Sequence, residues 1–373
     1  MDAIKSNIIF GAGLRGEKFL IQYYNVVEVR GVFDNQKTGS FHGYPISRPC
    51  YMKNVFIIVA VESALAYMGI RKQLIELGYK EFEDFIPYTV FNKKIALVYG
   101  NCHMEAIRKF LECNKEFSKQ YGFYPFPGIC DLNSDVEYET ILPHIDLFLH
   151  QSIRQDNRYG KEFSSCYMLN KLSKKCETIS LPNLYGLPKC FFPQLDVEMK
   201  YKSEAYPYFI MDRNVVQWLK EGKTVEEITN NILKGVYCEN EILDQWERFK
   251  EKLFLRESEW DVKISDYIIG NYQEEKLFCD INHISAKLAK EIANRVLHYI
   301  GIQTGIVQYP VGMDALETFI YPDVRKALGL KFEEKIIRQF SLGASCSGYE
   351  MDFKEYIEQI CSYTVFVLKD EEN

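Results

Sequence analysis

Residues Ile95–Glu105 read IALVYGNCHME, and their reading decides the fold class. Ile95–Tyr99 is a short apolar run with the Val/Ile content of a buried strand. Gly100 and Asn101 break it, and Met104, Ile107, Phe110 and Leu111 then recur at helical spacing. A strand that turns through glycine straight into a helix is the opening of an α/β unit. Cys102 and His103 fall in the first helical turn, where backbone N–H groups lack intrahelical acceptors and the positive end of the dipole lies. Such a position favours the thiolate form of a cysteine, so Cys102 is a candidate nucleophile. The alternative is a small, half-buried cysteine with no chemistry.

Towards the N-terminus the same pattern occurs once more. Asn7–Phe10 reads as a strand entering Gly11-Ala12-Gly13-Leu14-Arg15-Gly16, a G-x-G-x-x-G, and Glu17–Tyr24 continues as a helix. A second strand, Val27–Phe33, ends at Asp34, 18 residues after Gly16. Glycines at these positions permit a tight turn and close approach of a diphosphate to the helix N-terminus, while the acid can reach a ribose hydroxyl. Gly11, Gly13, Gly16 and Asp34 are therefore candidate nucleotide ligands; the alternative is a Rossmann-like unit without a ligand. A strand at Val55–Val61, a helix over 63–77 stopped by Gly78, and a short strand at Phe85–Pro87 complete the unit. Asn92-Lys93-Lys94 is a polar break. The expectation is an α/β protein of two domains: a small Rossmann-like parallel-sheet domain over 1–92 and a larger, helix-rich α/β domain over 93–373.

Beyond the opening stretch, 121–133 reads as a variable segment, and Ile145–Leu149 as a strand leaving through His150-Gln151-Ser152-Ile153. A further strand, Cys176–Leu181, is halted by Pro182. Helices are expected at Asp212–Lys220, Val225–Leu233 (capped by Thr224 with Glu227 three residues on), Glu241–Arg256 and Ala286–Ile300. His283 lies just before the last of these, and Ser285 is its candidate cap. The segments from Tyr321 to Arg325 and from Phe353 to Leu368 read as helical or irregular, without a chemical motif.

The bulk composition narrows the function classes. The 373 residues are 47% hydrophobic and 26% charged, ordinary for a globular chain. Lys+Arg 45 against Asp+Glu 52 gives a net charge of −7, and no basic cluster stands out, which argues against nucleic-acid binding. The 11 cysteines include no C-x-x-C, so neither a zinc ribbon nor a thioredoxin-like site is suggested, and no metal ligand is expected. With no signal-peptide h-region and no run long enough to span a bilayer, a cytoplasmic protein with reduced thiols is expected.

Two family resemblances rest on these residues. Gly11, Gly13, Gly16, Asp34 and Gly43-Tyr44-Pro45-Ile46 resemble the N-terminal domain of PglD-type sugar acyltransferases over about residues 5–90. That resemblance implies binding of a nucleotide-sugar, although the hexapeptide repeat of that family's acetylating β-helix is absent from this chain. The second region, about residues 94–330, resembles the WcbI-type family of capsular polysaccharide biosynthesis. The residues that carry it are Gly100-Asn101-Cys102, Asp146 through Gln151 with Ile153, Leu181-Pro182-Asn183 leading towards Pro193, and Asn282-His283. His103 stands where that family commonly has Gln, and Ile284 where it has Pro.

What the second resemblance implies is binding of coenzyme A or acetyl-CoA at the Gly100-Asn101 turn and acyl transfer to a sugar during surface glycan assembly. Acyl transfer needs a nucleophile or base, donors for an oxyanion and a place for the thioester. Cys102 is the candidate nucleophile, or a polar group beside the thioester. His283 or His103 is the candidate base, and Asn101 and Gln151 are candidate oxyanion donors through their amides. Direct transfer, with His283 deprotonating a sugar hydroxyl and no acyl-cysteine, fits the sequence equally well. Two other classes stay open: a non-catalytic nucleotide- or glycan-binding protein, and an NAD-dependent sugar-modifying enzyme, which the small first unit disfavours.

Overall fold

Strand β1 (Ser6–Phe10) sends Ile8 and Phe10 into one apolar cluster and Ile9 into another, as the two-residue period of a strand dictates. The computed structural model describes residues 6–61, 63–129, 138–201, 209–310, 318–334, 336–338 and 349–371. After β1 come α1 (Leu14–Tyr23), β2 (Val29–Phe33), β3 (Gly39–Phe41), β4 (Tyr44–Ser47), β5 (Val55–Val59), α2 (Ala64–Glu76) and β6 (Phe85–Pro87). They form a sheet of order β3-β4-β2-β1-β5-β6, parallel except for the β3–β4 pair. One face, with Ile9, Val32 and Ile58, is covered by Phe19 and Leu20 of α1. The other, with Ile8, Phe10, Phe33, Ile57 and Val59, packs with Tyr67 and Leu74 of α2.

The second sheet holds the Ile95–Glu105 stretch. Its elements are β7 (Lys94–Tyr99), α3 (Cys102–Cys113), α4 (Lys115–Gln120), β8 (Tyr121–Phe123), β9 (Leu147–His150), α5 (Ser165–Leu169) and β10 (Glu177–Ser180). The order is β10-β9-β7-β8, with β7 parallel to both β8 and β9. Helix α3 buries Met104, Ile107, Phe110 and Leu111, the stripe its spacing predicts.

Two expectations give way here. The segment after α4 opens with a strand, because Tyr121–Phe123 pairs with Lys94–Ala96. Three residues with glycine in the middle carry no periodic signal. That glycine is required: a Cβ on Gly122 would lie 1.9 Å from the Thr89 carbonyl oxygen. The part of the variable segment over 130–133 lies outside the described residues.

The second concerns the division of the chain. The polar break expected to separate a 1–92 domain from a 93–373 domain is a turn, with Asn92 at φ 57°, inside one packed unit. The compact units are Met1–Arg108 with Lys115–Ile179, and Lys109–Asn114 with Ser180–Asn373. The physical reason is a shared core: Leu97, Tyr99 and Phe148 of the second sheet belong to the same cluster as Ile8, Phe10 and Val59 of the first. A buried ion pair ties them further. Arg71 Nε donates to Glu81 at 2.6 Å, the Tyr67 and Tyr124 hydroxyls donate to the same carboxylate, and Arg71 also reaches Thr140 Oγ1 at 2.8 Å.

The other unit is mostly helical. It comprises β11 (Leu195–Tyr201) and β12 (Phe209–Asp212), an antiparallel pair, then α6 (Arg213–Lys220), α7 (Val225–Lys234), α8 (Glu239–Glu257) and α9 (Ser265–Asn271). α10 (Ala286–Tyr299), α11 (Pro322–Leu328), the antiparallel β13 (Ile336–Arg338) and β14 (Tyr349–Met351), and α12 (Phe353–Glu371) follow. Thr224 and Glu227 form the anticipated capping box on α7, and Ser285 Oγ accepts from Leu288 N–H at the start of α10. In α8, Ile242, Trp246, Phe249 and Leu253 bury one face and leave the charges to solvent. Among the described residues no helix is long and apolar enough to cross a membrane.

Candidate active site

The parallel pairing of β7 with β9 aligns Tyr99 with His150, so both strands end together at the carboxyl edge of the second sheet. Crevices at that edge are where open α/β sheets bind ligands. Just beyond it, Gln151 N–H donates to the Tyr99 carbonyl at 2.9 Å, and Gln151 Oε1 accepts the Asn101 N–H at 3.0 Å. The side chain of one strand's exit thus holds the turn at the other's. Gly100 is required for this closeness, since a Cβ there would sit 2.6 Å from Gln151 Oε1 and 2.7 Å from Met104 Cγ. Asn101 Oδ1 accepts the His103 N–H at 3.0 Å, and its carbonyl takes the Met104 N–H at 3.0 Å, which starts α3.

Cys102 and His103 are neighbours with opposite exposure. Cys102 is exposed on the first turn, whereas His103 is only 2% exposed. Gln151 is likewise enclosed, at 1%. His103 is therefore a packed residue rather than a base open to substrate, and Gln151 spends its amide oxygen on the turn. At this edge Asn101 is half-buried, and the N–H groups of His103 and Met104 are already bonded within the turn. Ser165 belongs to no motif in the sequence. Its Oγ donates to the Gln151 carbonyl and accepts the Ile153 N–H, both at 2.7 Å, and its own N–H reaches the Ile153 carbonyl at 3.0 Å. A buried serine 14 residues after Gln151 gives no sequence signal for that stitch.

His283 belongs to the other compact unit. It sits in a tight reversal where Phe278 bridges Ile284 in antiparallel fashion and Cys279 N–H donates to the His283 carbonyl at 2.9 Å. Its side chain is 31% exposed, and its Nδ1 lies 2.8 Å from Asp280 Oδ2. Asp280 likewise belongs to no motif; the pointer in the sequence is an acid three residues ahead of the histidine. Among the described residues no three His, Cys, Asp or Glu side chains gather as metal ligands.

The glycine loop after β1 takes the shape its motif demands. Gly11 has φ 122°, and a Cβ would lie 2.6 Å from the Ala60 carbonyl oxygen; at Gly16 it would lie 2.2 Å from the Gly11 carbonyl oxygen. These two glycines serve packing, while around Gly13, the N-cap of α1, there is open space. Asp34 is drawn into the loop itself. Its Oδ2 accepts Ala12 N–H at 2.9 Å, and Oδ1 accepts Gln36 and Lys37 N–H, each at 2.8 Å. Burial pushes its pKa up, but the N–H donors of Lys37, Ala12 and Gln36 and the Lys37 charge outweigh that and leave it below the ordinary value. In the protein alone the carboxylate fastens the loop rather than standing open for a ribose.

A family model described as polysaccharide biosynthesis enzyme WcbI matches residues 95–305. The fold is similar to a solved structure of WcbI, described as a novel polysaccharide biosynthesis enzyme, with a TM-score of 0.56 and 18% identity. The similarity covers 73% of this chain and 90% of that one. That structure is of native protein without the disulfide bond between coenzyme A and one of its cysteines. No curated protein gives a significant match. The family match begins at residue 95, so the PglD-type resemblance of the first sheet stays an expectation.

Proposed function

The chain belongs to the WcbI family of polysaccharide biosynthesis enzymes, and from that premise we propose that it is an acetyl-CoA-dependent acyltransferase acting on a sugar or nucleotide-sugar during capsular or other surface glycan assembly. What carries this reading is the exposed Cys102 thiol on the first turn of α3, held at a sheet edge by the Gln151–Asn101 bond. The relative described with coenzyme A and a cysteine supports it. Cys102 takes the part of the nucleophile: its sulfur attacks the thioester carbonyl, the carrier leaves as a thiol, and an acyl-cysteine remains. The side-chain amide of Asn101 stabilises the oxyanion. His283 removes the proton of the acceptor hydroxyl as its oxygen attacks the acyl carbon, and the sulfur departs. If no acyl-cysteine forms, the hydroxyl attacks the thioester directly with the same base.

The open space at Gly13 favours a second role for the first sheet, binding the diphosphate of a nucleotide-sugar against the start of α1. We place the reaction in the cytoplasm, where thioester and activated sugar are both available. Thermal-shift measurements with coenzyme A, acetyl-CoA, NAD and UDP-sugars test these statements. Coenzyme A and its acetyl ester are expected to stabilise the protein, and thiol release from acetyl-CoA is expected to need a sugar acceptor. Gly13→Asp should abolish the response to UDP-sugars alone. Stabilisation by NAD without any by coenzyme A at millimolar concentration overturns the acyltransferase reading.

A further inference from the structure

Asp280 uses both carboxylate oxygens on its immediate neighbours. Oδ1 accepts the N–H groups of Asn282 at 2.6 Å and His283 at 2.9 Å, and Oδ2 faces His283 Nδ1 at 2.8 Å. The first pair of bonds is an Asx-type turn, and it needs only one oxygen. The second oxygen faces the imidazole ring. An ionised carboxylate only accepts, so Nδ1 carries the proton of the neutral ring and the lone pair sits on Nε2. Both members are fixed from outside. Ser285 N–H bonds the Leu277 carbonyl at 2.9 Å, Thr318 N–H the Cys279 carbonyl at 2.8 Å, and Gly186 N–H the Ile281 carbonyl at 2.9 Å. Asp280 is 6% exposed, which limits competition by water for its carboxylate.

We propose that Asp280 is the positioning residue that sets His283 in its Nδ1–H tautomer and stabilises the imidazolium formed when Nε2 takes the acceptor's proton. The catalytic half of this rests on the acyltransferase reading; the tautomer does not. In the transfer step the hydroxyl O–H bond breaks, its proton goes to Nε2, the oxygen bonds the acyl carbon and the C–S bond breaks. The departing sulfur then collects the proton from Nε2, and Asp280 stays ionised throughout.

The test is Asp280→Asn in the full chain with 15N-labelled histidine, His283 being assigned by its loss in His283→Gln. The asparagine oxygen still accepts the two backbone N–H groups, so the turn and the unfolding temperature are retained. Its NH2 now donates to Nδ1 and reverses the tautomer. Long-range 1H–15N spectra are expected to show Nδ1–H in the wild type and Nε2–H in the variant. The turnover number is expected to fall about 10²–10⁴-fold with KM for the acyl donor unchanged. A wild-type ring protonated at Nε2 overturns the proposal, as does a folded variant with full turnover. If the wild type transfers no acyl group, the function fails while the spectra still decide the tautomer; if Asp280→Asn unfolds, the wild-type spectra decide it alone.

Discussion

At the scale of single residues, the site turns on a one-position difference. Cys102 is exposed and His103 enclosed because α3 advances about 100° per residue, and Met104 and Ile107 already define its inward stripe. Cys102→Ser should lose acyl transfer and change stability little, since the substitution is nearly isosteric and solvent-facing. Cys102→Ala with full activity would assign the reaction to direct transfer by His283. Iodoacetamide followed by peptide mass mapping provides a check: Cys102 should be alkylated well ahead of the buried Cys190, Cys279 and Cys361. The sequence made Cys102 legible because a strand, a glycine and a helical stripe converge on it. It could not separate His103 from His283, since burial depends on what packs behind the helix. Asp280 and Ser165 stayed hidden because their partners are a side-chain nitrogen and backbone groups, which leave no periodic trace.

At the scale of elements, strands β1, β2, β5, β7 and β9 and helices α1, α2, α3, α7 and α10 were readable within a few residues, because each carries an apolar run or period. β8 was not, and neither was the way α2 is joined to the segment after it. Glu81, at the end of α2's connection, accepts from Arg71, Tyr67 and Tyr124, residues up to 43 positions away. Burial pushes the phenols of Tyr67 and Tyr124 upward, reinforced by the adjacent Glu81 charge, so both remain neutral donors. Glu81→Ala would strand the Arg71 guanidinium among apolar neighbours and should cost about 3–5 kcal/mol, measurable by urea unfolding. A loss near that of an exposed pair, below about 1 kcal/mol, would mean that water reaches Arg71.

At the scale of the molecule, the class α/β followed from the sequence but the division of the chain did not. A polar triplet marks a surface turn, whereas a domain boundary depends on whether apolar faces on either side find each other, and here Ile8 and Phe10 share a cluster with Leu97 and Phe148. Global stability should also carry the imprint of one acid in the helical unit. Asp212 caps α6 with Oδ1 and accepts the Tyr321 hydroxyl with Oδ2; burial raises its pKa to about 6 even though these bonds pull it down. The folded state therefore binds this proton more tightly than the unfolded chain. Its contribution is complete below the unfolded value and is lost as pH rises through about 6, an effect of about 2–3 kcal/mol. Asp212→Asn keeps a capping oxygen and should flatten the fall of the unfolding temperature between pH 4 and 7. A wild-type profile that rises through that interval with no change in the variant would contradict it.

The bond from Gln151 to the Asn101 N–H has a last consequence. It grips main chain, and Gly100 gives it room, so the scaffold of this turn makes no demand on the side chain at 102. Position 102 is in effect a socket. A different reactive atom, such as a hydroxyl or a selenol, could be plugged in without disturbing the frame that aims it. On the proposed function, variation at this point of the chain can alter reactivity while architecture stays constant, which makes it a handle for engineering.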